Sequence, residues 1–161
     1  MNNNISPVVL NECLVVTPPD GFHVMTEEER HGMTLLEDGP WVGLSDPDRH
    51  ILVTMGWKQV NKLAAKMLSG RNLAENMEKQ VRRAMAALGY QPDGFRERQI
   101  AGTSAHGFGY EYTAQQIDMS AESYVLKMDA TLYYFHFYAR SERKEESLVV
   151  WNSLLESIRE C

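Results

Sequence analysis

The chain carries two groups of side chains whose types and spacing could support chemistry. The first is the run Asp46-Pro47-Asp48-Arg49-His50, in which Asp46, Asp48 and His50 alternate. Alternate side chains on an extended backbone point to the same side, and carboxylate and imidazole ligands suit a hard or borderline divalent metal. Asp and Pro in such a run are also typical of a tight hairpin turn. We interpret the run as a hairpin turn and keep a metal site as the alternative.

The second group is a pair of histidines, His106 and His136, each within an aromatic segment. If these segments are neighbouring strands, the imidazoles could face each other, and Glu111 lies near enough in sequence to join them as a general base. Histidines in a Tyr- and Phe-rich strand are more often packed and hydrogen-bonded. The run Gly43-Leu44-Ser45-Asp46-Pro47 lacks the second glycine of a nucleophile elbow. We therefore predict a protein that is not an enzyme and has no metal or cofactor.

Composition and charge exclude several classes of protein. The 161 residues include 22 acidic and 16 basic side chains, so the formal net charge is −6 at pH 7. Such an acidic chain matches neither a nucleic acid nor an anionic membrane surface. The chain has no apolar run of membrane-spanning length, and its first residues do not resemble a signal peptide. We expect a cytoplasmic protein with Cys13 and Cys161 reduced, although the closeness of chain ends in compact domains leaves a disulfide open.

Apolar periodicity predicts an α+β domain built on an antiparallel sheet. The length of the chain and its 43% hydrophobic residues suit a single domain, which we place at 12–161 behind a flexible tail at 1–11. The last four predicted strands follow one another without a helix between them, which favours an antiparallel sheet over a doubly wound parallel one. The predicted strands span about 13–17, 22–25, 41–44, 50–55, 95–100, 103–115, 122–129 and 131–139.

Helices are predicted at three places. Thr26 is followed by three glutamates, which form a capping box and an acidic first turn, so a short helix begins there. Apolar residues recur every three or four positions from Asn72, which predicts the longest helix, and Gly89 is placed to end it. A final amphipathic helix is expected to begin at Ser141.

Three phrases of the sequence resemble the Mog1/PsbP/DcrB-like superfamily, which includes the DUF1795 group. They are the run from Val15 to Phe22 (VVTPPDGF), the run from Tyr133 to Phe137 (YYFHF) and the run from Trp151 to Arg159 (WNSLLESIR). The resemblance covers about residues 12–160 and implies an α/β/α sandwich around an antiparallel sheet. It also implies a binding role, since members include a nuclear-transport GTPase partner, photosystem extrinsic subunits and chaperones of secreted toxins. No catalytic motif comes with it.

Aromatic residues on the predicted sheet are the best candidates for a contact surface. The strand at 103–115 carries its aromatic residues on one face, opposite Ala105, Gly107 and Gly109, whereas the strand at 131–139 is aromatic on both faces, which is typical of a central strand covered from both sides. Exposed tyrosines supply contact area at a low cost in conformational entropy. We predict an adaptor or chaperone that binds a protein partner or an apolar segment of one. The predicted contact residues are Tyr110, Tyr112, Tyr134, Tyr138 and Met67.

The methionines offer a second set of candidates for this surface. Met67, Met77, Met85, Met119 and Met128 could line an adaptable apolar groove, although methionines also fill ordinary cores. Met67 has the strongest case, because it lies in an apolar stretch without a defined element. The alternative function is a small-molecule or metal-binding protein. Homodimerisation through an uncovered sheet edge or face also stays open.

Overall fold

The computed structural model describes residues 6–33, 35 and 37–161, which form ten strands and four helices. In chain order these are β1 (Val8–Leu10), β2 (Leu14–Val16), β3 (His23–Val24), α1 (Glu27–His31), β4 (Trp41–Asp46), β5 (Ile51–Gln59), α2 (Lys62–Met67), α3 (Gly70–Ala84), β6 (Gln91–Ile100), β7 (Thr103–Ala114), β8 (Ile117–Met128), β9 (Thr131–Arg140), α4 (Lys144–Glu156) and β10 (Arg159–Glu160). Short 3₁₀ turns at Ala86–Leu88 and Ser141–Arg143 follow α3 and β9. In the described part of the chain, no helix is both long enough and apolar enough to cross a membrane.

Seven strands form one antiparallel sheet in the order β3-β4-β5-β9-β8-β7-β6. The strands β6 to β9 are a meander, so short turns suffice to connect them. The hairpin β4–β5 joins the meander through β9, which places Thr54 of β5 opposite His136 of β9. On the other side of β9, His136 lies opposite Ser123 of β8. The predicted α+β fold with an antiparallel sheet is confirmed.

Helices cover both faces of this sheet. α4 packs on one face, where Trp151 stacks on Phe137 with their ring centroids 5.2 Å apart. α3 packs on the other face, where Met77 and Val81 join a buried cluster with Phe108 of β7. β8 lies between α3 on one face and Trp151 of α4 on the other, and β9, the strand beside it, has aromatic residues on both faces. This layering agrees with the predicted sandwich of helices around a sheet.

A second, three-stranded sheet joins the two ends of the described chain. Its order is β1-β2-β10, and β2 pairs antiparallel with both neighbours. Leu10 of β1 is fully buried against the main core. The prediction of a flexible tail that ends at residue 11 is therefore wrong for residues 8–10, since burial of Leu10 and pairing with β2 order this short apolar run. Residues 1–5 of the predicted tail lie outside the described residues.

Local sequence rules account for several element ends. The Thr26 hydroxyl accepts a hydrogen bond from the Glu29 backbone N–H at 3.2 Å, and the Glu29 carboxylate accepts one from the Thr26 backbone N–H at 3.1 Å. This confirms the predicted capping box of α1. Gly89 adopts the left-handed conformation at φ 73°, but it ends the 3₁₀ turn Ala86–Leu88; the prediction that it ends the long helix is wrong, because α3 already ends at Ala84. Ser69 caps α3, which begins at Gly70, two residues before the predicted start at Asn72.

Two predicted boundaries are wrong. Ser141 does not cap the final helix, because it opens a 3₁₀ turn and its hydroxyl lies 2.8 Å from the Ser120 hydroxyl. α4 begins three residues later, at Lys144. β6 begins at Gln91 rather than 95, because pairing with β7 extends past an irregularity in register between Pro92 and Phe95.

Candidate functional site

A cleft of about 440 Å³ opens at one end of the large sheet, on the face that carries α3. Tyr138 of β9 and Leu52 of β5 lie opposite each other in register at this end. Tyr112 of β7 and Met119 of β8 form the next opposed pair. Met85, directly after α3, lines the side of the opening. We call the cleft lined by Met33, Leu52, Met85, Tyr112, Met119 and Tyr138 the tyrosine–methionine cleft.

The position of α3 explains why the cleft exists. The buried stripe of α3, which includes Met77 and Val81, lies over β7 and β8. α3 ends at Ala84, and its main contacts with the sheet are to β7 and β8 rather than to β9 and β5. Other segments border that side, including the β4–β5 turn at Pro47 and the residue Met33 after α1. The cleft is the space that these elements leave.

The structure brings two of the five predicted contact residues together in this cleft. Tyr112 and Tyr138 are half-buried and line the opening. Tyr110 is only 1% exposed, because α3 covers it and its ring stacks on Tyr112 at a centroid distance of 5.9 Å. The prediction that Tyr110 belongs to an exposed contact surface is therefore wrong, because its ring is part of the buried cluster between α3 and the sheet.

Tyr134 and Met67 lie elsewhere. Tyr134 shares the sheet face of Tyr138 but is bordered by Trp41, Trp57 and the segment before β4. Met67 is 81% exposed on α2, which follows the far end of β5. The backbone N–H of Val60, between β5 and α2, donates to the Ala130 carbonyl at 2.8 Å, so α2 starts at the end of the sheet opposite the cleft.

The methionines separate into core and cleft residues. Met77 lies on α3 and is buried, and Met128 packs against the core on the α4 side. Met85 and Met119 line the cleft, as the groove hypothesis requires. Met33 lines it as well, and sequence reasoning missed this residue because it belongs to no helix or strand.

The phenols of Tyr112 and Tyr138 in the cleft are neutral, and burial is the main reason that their pKa values are raised. Burial raises the pKa of Tyr112, and burial followed by the nearby Tyr112 and Glu37 raises the pKa of Tyr138. Both phenols therefore keep their protons at physiological pH. Each offers an apolar ring and a hydroxyl that can donate or accept a hydrogen bond.

A buried hydrogen-bond chain lies on the same face, at His136, two residues before Tyr138 along β9. The His136 Nδ1 atom lies 2.7 Å from the Ser123 Oγ atom, and its Nε2 atom lies 2.9 Å from a Glu37 carboxylate oxygen. Burial alone would raise the pKa of Glu37, but the hydrogen bond and charge interaction with His136 outweigh burial and hold that pKa below its usual value. An ionised carboxylate only accepts, so Nε2–H donates to Glu37.

This chain contains the residue types of a hydrolase triad without the required access. Ser123 is 0% exposed, so its hydroxyl cannot reach a substrate. The arrangement instead attaches the segment at Glu37 to the sheet. Sequence reasoning identified His136 but missed Glu37 and Ser123, and no local motif could have found Glu37, which lies 99 positions away.

The predicted grouping of His106, His136 and Glu111 does not form. His106 lies on β7 opposite Val125, and β8 separates it from β9. Glu111 accepts a hydrogen bond from the Ser120 hydroxyl at 3.2 Å and lies 3.6 Å from the Lys144 ammonium. The general-base hypothesis is therefore wrong for these residues, because they occupy different rows of the sheet.

The Asp46–His50 run forms the turn of the β4–β5 hairpin, as predicted. The buried Asp46 carboxylate accepts a hydrogen bond from the Arg49 backbone N–H at 3.1 Å, and it forms an ion pair with the Arg49 guanidinium. Its oxygens thus have partners within the turn. Over residues 6–33, 35 and 37–161, no three His, Cys, Asp or Glu side chains come together in a group that could hold a metal ion.

Comparison with known proteins finds similarity at the level of structure. No protein-family model matches the chain, and no curated protein matches its sequence significantly. The cyanobacterial PsbP protein (CyanoP) of Synechocystis sp. PCC 6803 has a TM-score of 0.72 at 10% identity, over 98% of this chain and 93% of that chain. The Ran-binding protein Mog1p of Saccharomyces cerevisiae has a TM-score of 0.58 at 9% identity, over 99% and 96% of the two chains.

A third similar structure broadens the set. LpqN, which is involved in cell envelope biogenesis of Mycobacterium tuberculosis, has a TM-score of 0.54 at 14% identity, over 96% of this chain and 84% of that chain. Identities this low show the fold alone, so membership in the DUF1795 group stays a prediction. The element order, the two-sided sheet and these three structures together show that the chain has the Mog1/PsbP-like fold.

Proposed function

We propose that this protein is a cytoplasmic, non-catalytic binding protein that holds an apolar segment of a protein partner in the tyrosine–methionine cleft. The observation that carries the proposal is the convergence of three methionines and two tyrosines around an opening of about 440 Å³. Methionine side chains adapt their shape to different apolar groups, and tyrosine rings supply rigid contact area.

The polar groups of the cleft favour a peptide segment as the occupant. The Tyr112 hydroxyl is neutral and can pair with the backbone groups of an incoming chain, whereas the Tyr138 hydroxyl already interacts with Tyr110 and contributes mainly its ring. The Asp46 carboxylate at the rim is already paired with Arg49. Mog1p, which shares the fold, is a Ran-binding protein, which supports a protein partner in general. The net charge of −6 favours a partner whose segment is flanked by basic residues.

Variants in two surfaces test the proposal. Partner proteins are first captured from the source cells with the full chain. The affinity of each captured partner is then measured for the wild type and for Met119→Gln, Met85→Gln and Met67→Gln. We expect the two cleft variants to bind a specific partner with an affinity that is lower by about tenfold or more. The matched control Met67→Gln, on the exposed α2 surface, should bind as wild type does.

The opposite pattern of affinities would refute the cleft. If Met67→Gln releases the partner and the folded cleft variants retain it, then the contact surface is α2. Circular dichroism and thermal melting of each variant ensure that a lost interaction does not reflect a lost fold.

A small molecule is the second candidate occupant. The volume of the cleft lies within the roughly 300–1,000 Å³ that is usual for ligand sites. Native mass spectrometry of the purified protein separates the two functions. An added small mass that Met119→Gln loses would support a ligand-binding protein, whereas a bare chain that gains a protein companion would support the adaptor.

A further inference from the structure

Cys13 and Cys161 lie opposite each other across the strand pair β2–β10. The register of this pair joins Arg159 to Val15 and Glu160 to Leu14. It continues by one more residue, because the Cys161 backbone N–H donates to the Cys13 carbonyl at 2.9 Å. Opposed residues of an antiparallel pair project their side chains to the same side, with Cα atoms about 4.5–5.5 Å apart. A disulfide spans Cα separations of about 4.4–6.8 Å.

The surroundings of Tyr133 agree with this register. Burial raises the pKa of the Tyr133 phenol, and Cys13 and Cys161 both add to this rise, as expected of two cysteines on neighbouring strands near this residue. The Asn11 amide donates to that hydroxyl at 3.3 Å. The strand register thus places the two cysteines opposite each other, on the side of the small sheet where Asn11 meets Tyr133.

The surroundings favour exchange with a soluble oxidant. Cys13 is half-buried and Cys161 is exposed, so an oxidant can reach the pair. Cys13 is held in a tight turn, since its backbone N–H donates to the Leu10 carbonyl at 3.0 Å and Asn11 and Glu12 have φ of 52° and 56°. Closure of the bond would thus require little movement on the β2 side.

We propose that Cys13 and Cys161 are a reversible redox pair that forms an intramolecular disulfide. One thiolate attacks the disulfide of an oxidant such as oxidised glutathione and releases one reduced glutathione. The second thiolate then attacks the protein sulfur of this mixed disulfide and displaces the other glutathione. Two electrons pass from the cysteines to the oxidant, and the two thiol protons end on the released glutathione thiols. The product ties β10, which follows α4, to β2.

Oxidation of the full chain tests this proposal. The protein is equilibrated in mixtures of reduced and oxidised glutathione, free thiols are titrated, and unreduced peptides are identified by mass spectrometry. We expect the free thiols to fall from two to none in a monomer, with the peptides of Cys13 and Cys161 joined. Because the bond closes almost the whole chain into one loop, the melting temperature should rise by roughly 10 °C.

Single variants supply the control. Cys13→Ser and Cys161→Ser should each accept one glutathione, form no internal cross-link and show no such rise in melting temperature. The reduced wild type provides the reference for correct folding. Oxidised wild type that carries two glutathiones, or that forms only disulfide-linked dimers, would overturn the proposal.

Discussion

Replacement of Glu37 with alanine removes one end of the buried chain that runs from Ser123 through His136. The His136 and Glu37 side chains are only 5% and 12% exposed, and their contact is 2.9 Å long. A hydrogen bond to a charged group contributes about 1.5–3 kcal/mol, and the variant also leaves the buried imidazole N–H without its acceptor. We therefore expect Glu37→Ala to lower the free energy of unfolding by about 2–3 kcal/mol at neutral pH. For a domain of this size the melting temperature should fall by roughly 5–10 °C.

The pH dependence of this loss follows from the lowered pKa of Glu37. A carboxylate whose pKa is lower in the folded than in the unfolded state stabilises the fold above its unfolded pKa, and this contribution disappears as the pH falls through the folded value. The stability difference between wild type and Glu37→Ala should therefore be full at neutral pH. It should shrink in acid, below the ordinary glutamate value of 4.5.

Urea denaturation at several pH values measures this difference. Asp38→Ala is the matched control, because it removes the neighbouring carboxylate, which is exposed. Glu37→Gln keeps an amide oxygen that can accept from His136, so it should lose less stability than the alanine variant. The reasoning is refuted if Glu37→Ala differs from Asp38→Ala by less than about 0.5 kcal/mol at neutral pH, or if its deficit grows in acid.

Three other variants test separate contacts. Gly107→Ala should lower the free energy of unfolding, measured in urea, by about 3 kcal/mol or more, because the new Cβ would collide with the Ser123 carbonyl. The control Gly32→Ala, whose Cβ meets nothing within 4 Å, should unfold near the wild-type urea midpoint. Equal urea midpoints for the two variants would contradict this prediction. Lys127→Ala removes the ammonium that donates to the Ala65 carbonyl of α2 at 2.7 Å and to the Leu68 carbonyl directly after α2 at 2.6 Å, so hydrogen exchange of the α2 amides should accelerate by about tenfold. Unchanged exchange would show that α2 does not depend on this contact. Glu78→Gln should lower the pKa of Tyr90 from about 12, since the Glu78 charge adds to the effect of burial, and an unshifted absorbance titration of tyrosine would count against it.

The sequence predicted the elements whose rules are local. The capping box at Thr26, the left-handed Gly89 and the adjacent strands of the meander depend on residues within a few positions of each other. α2 was not predicted, because six residues are too few to show a helical period beyond the pair Leu63 and Met67, and its cap is a single asparagine, Asn61. β1 was missed because a three-residue run becomes a strand only through pairing with β2.

The site was predictable only in part. Strand alternation shows which residues share a face of the sheet, but it does not show which helix or loop packs over that face. Alternation places Tyr110 and Tyr112 on the same face of β7. Whether each is buried depends on where α3 ends and crosses the sheet, and this is set by tertiary packing. The pairing of Glu37 with His136 likewise joins distant residues through folding of the segment before β4. Neither the packing of α3 over Tyr110 nor the hydrogen bond between Glu37 and His136 could be predicted from a local sequence motif.

Site-specific photo-crosslinking tests the binding function most directly. A photoreactive p-benzoylphenylalanine is placed in the cleft as Met85→p-benzoylphenylalanine, and a control probe is placed as Val149→p-benzoylphenylalanine on the exposed side of α4, on the opposite face of the sheet. After irradiation in the source cells, the cleft probe should join the chain to one recurrent protein through an apolar segment, and the control probe should not. Equal labelling from both positions, or attachment of that protein through the control probe alone, would contradict the tyrosine–methionine cleft as the binding site.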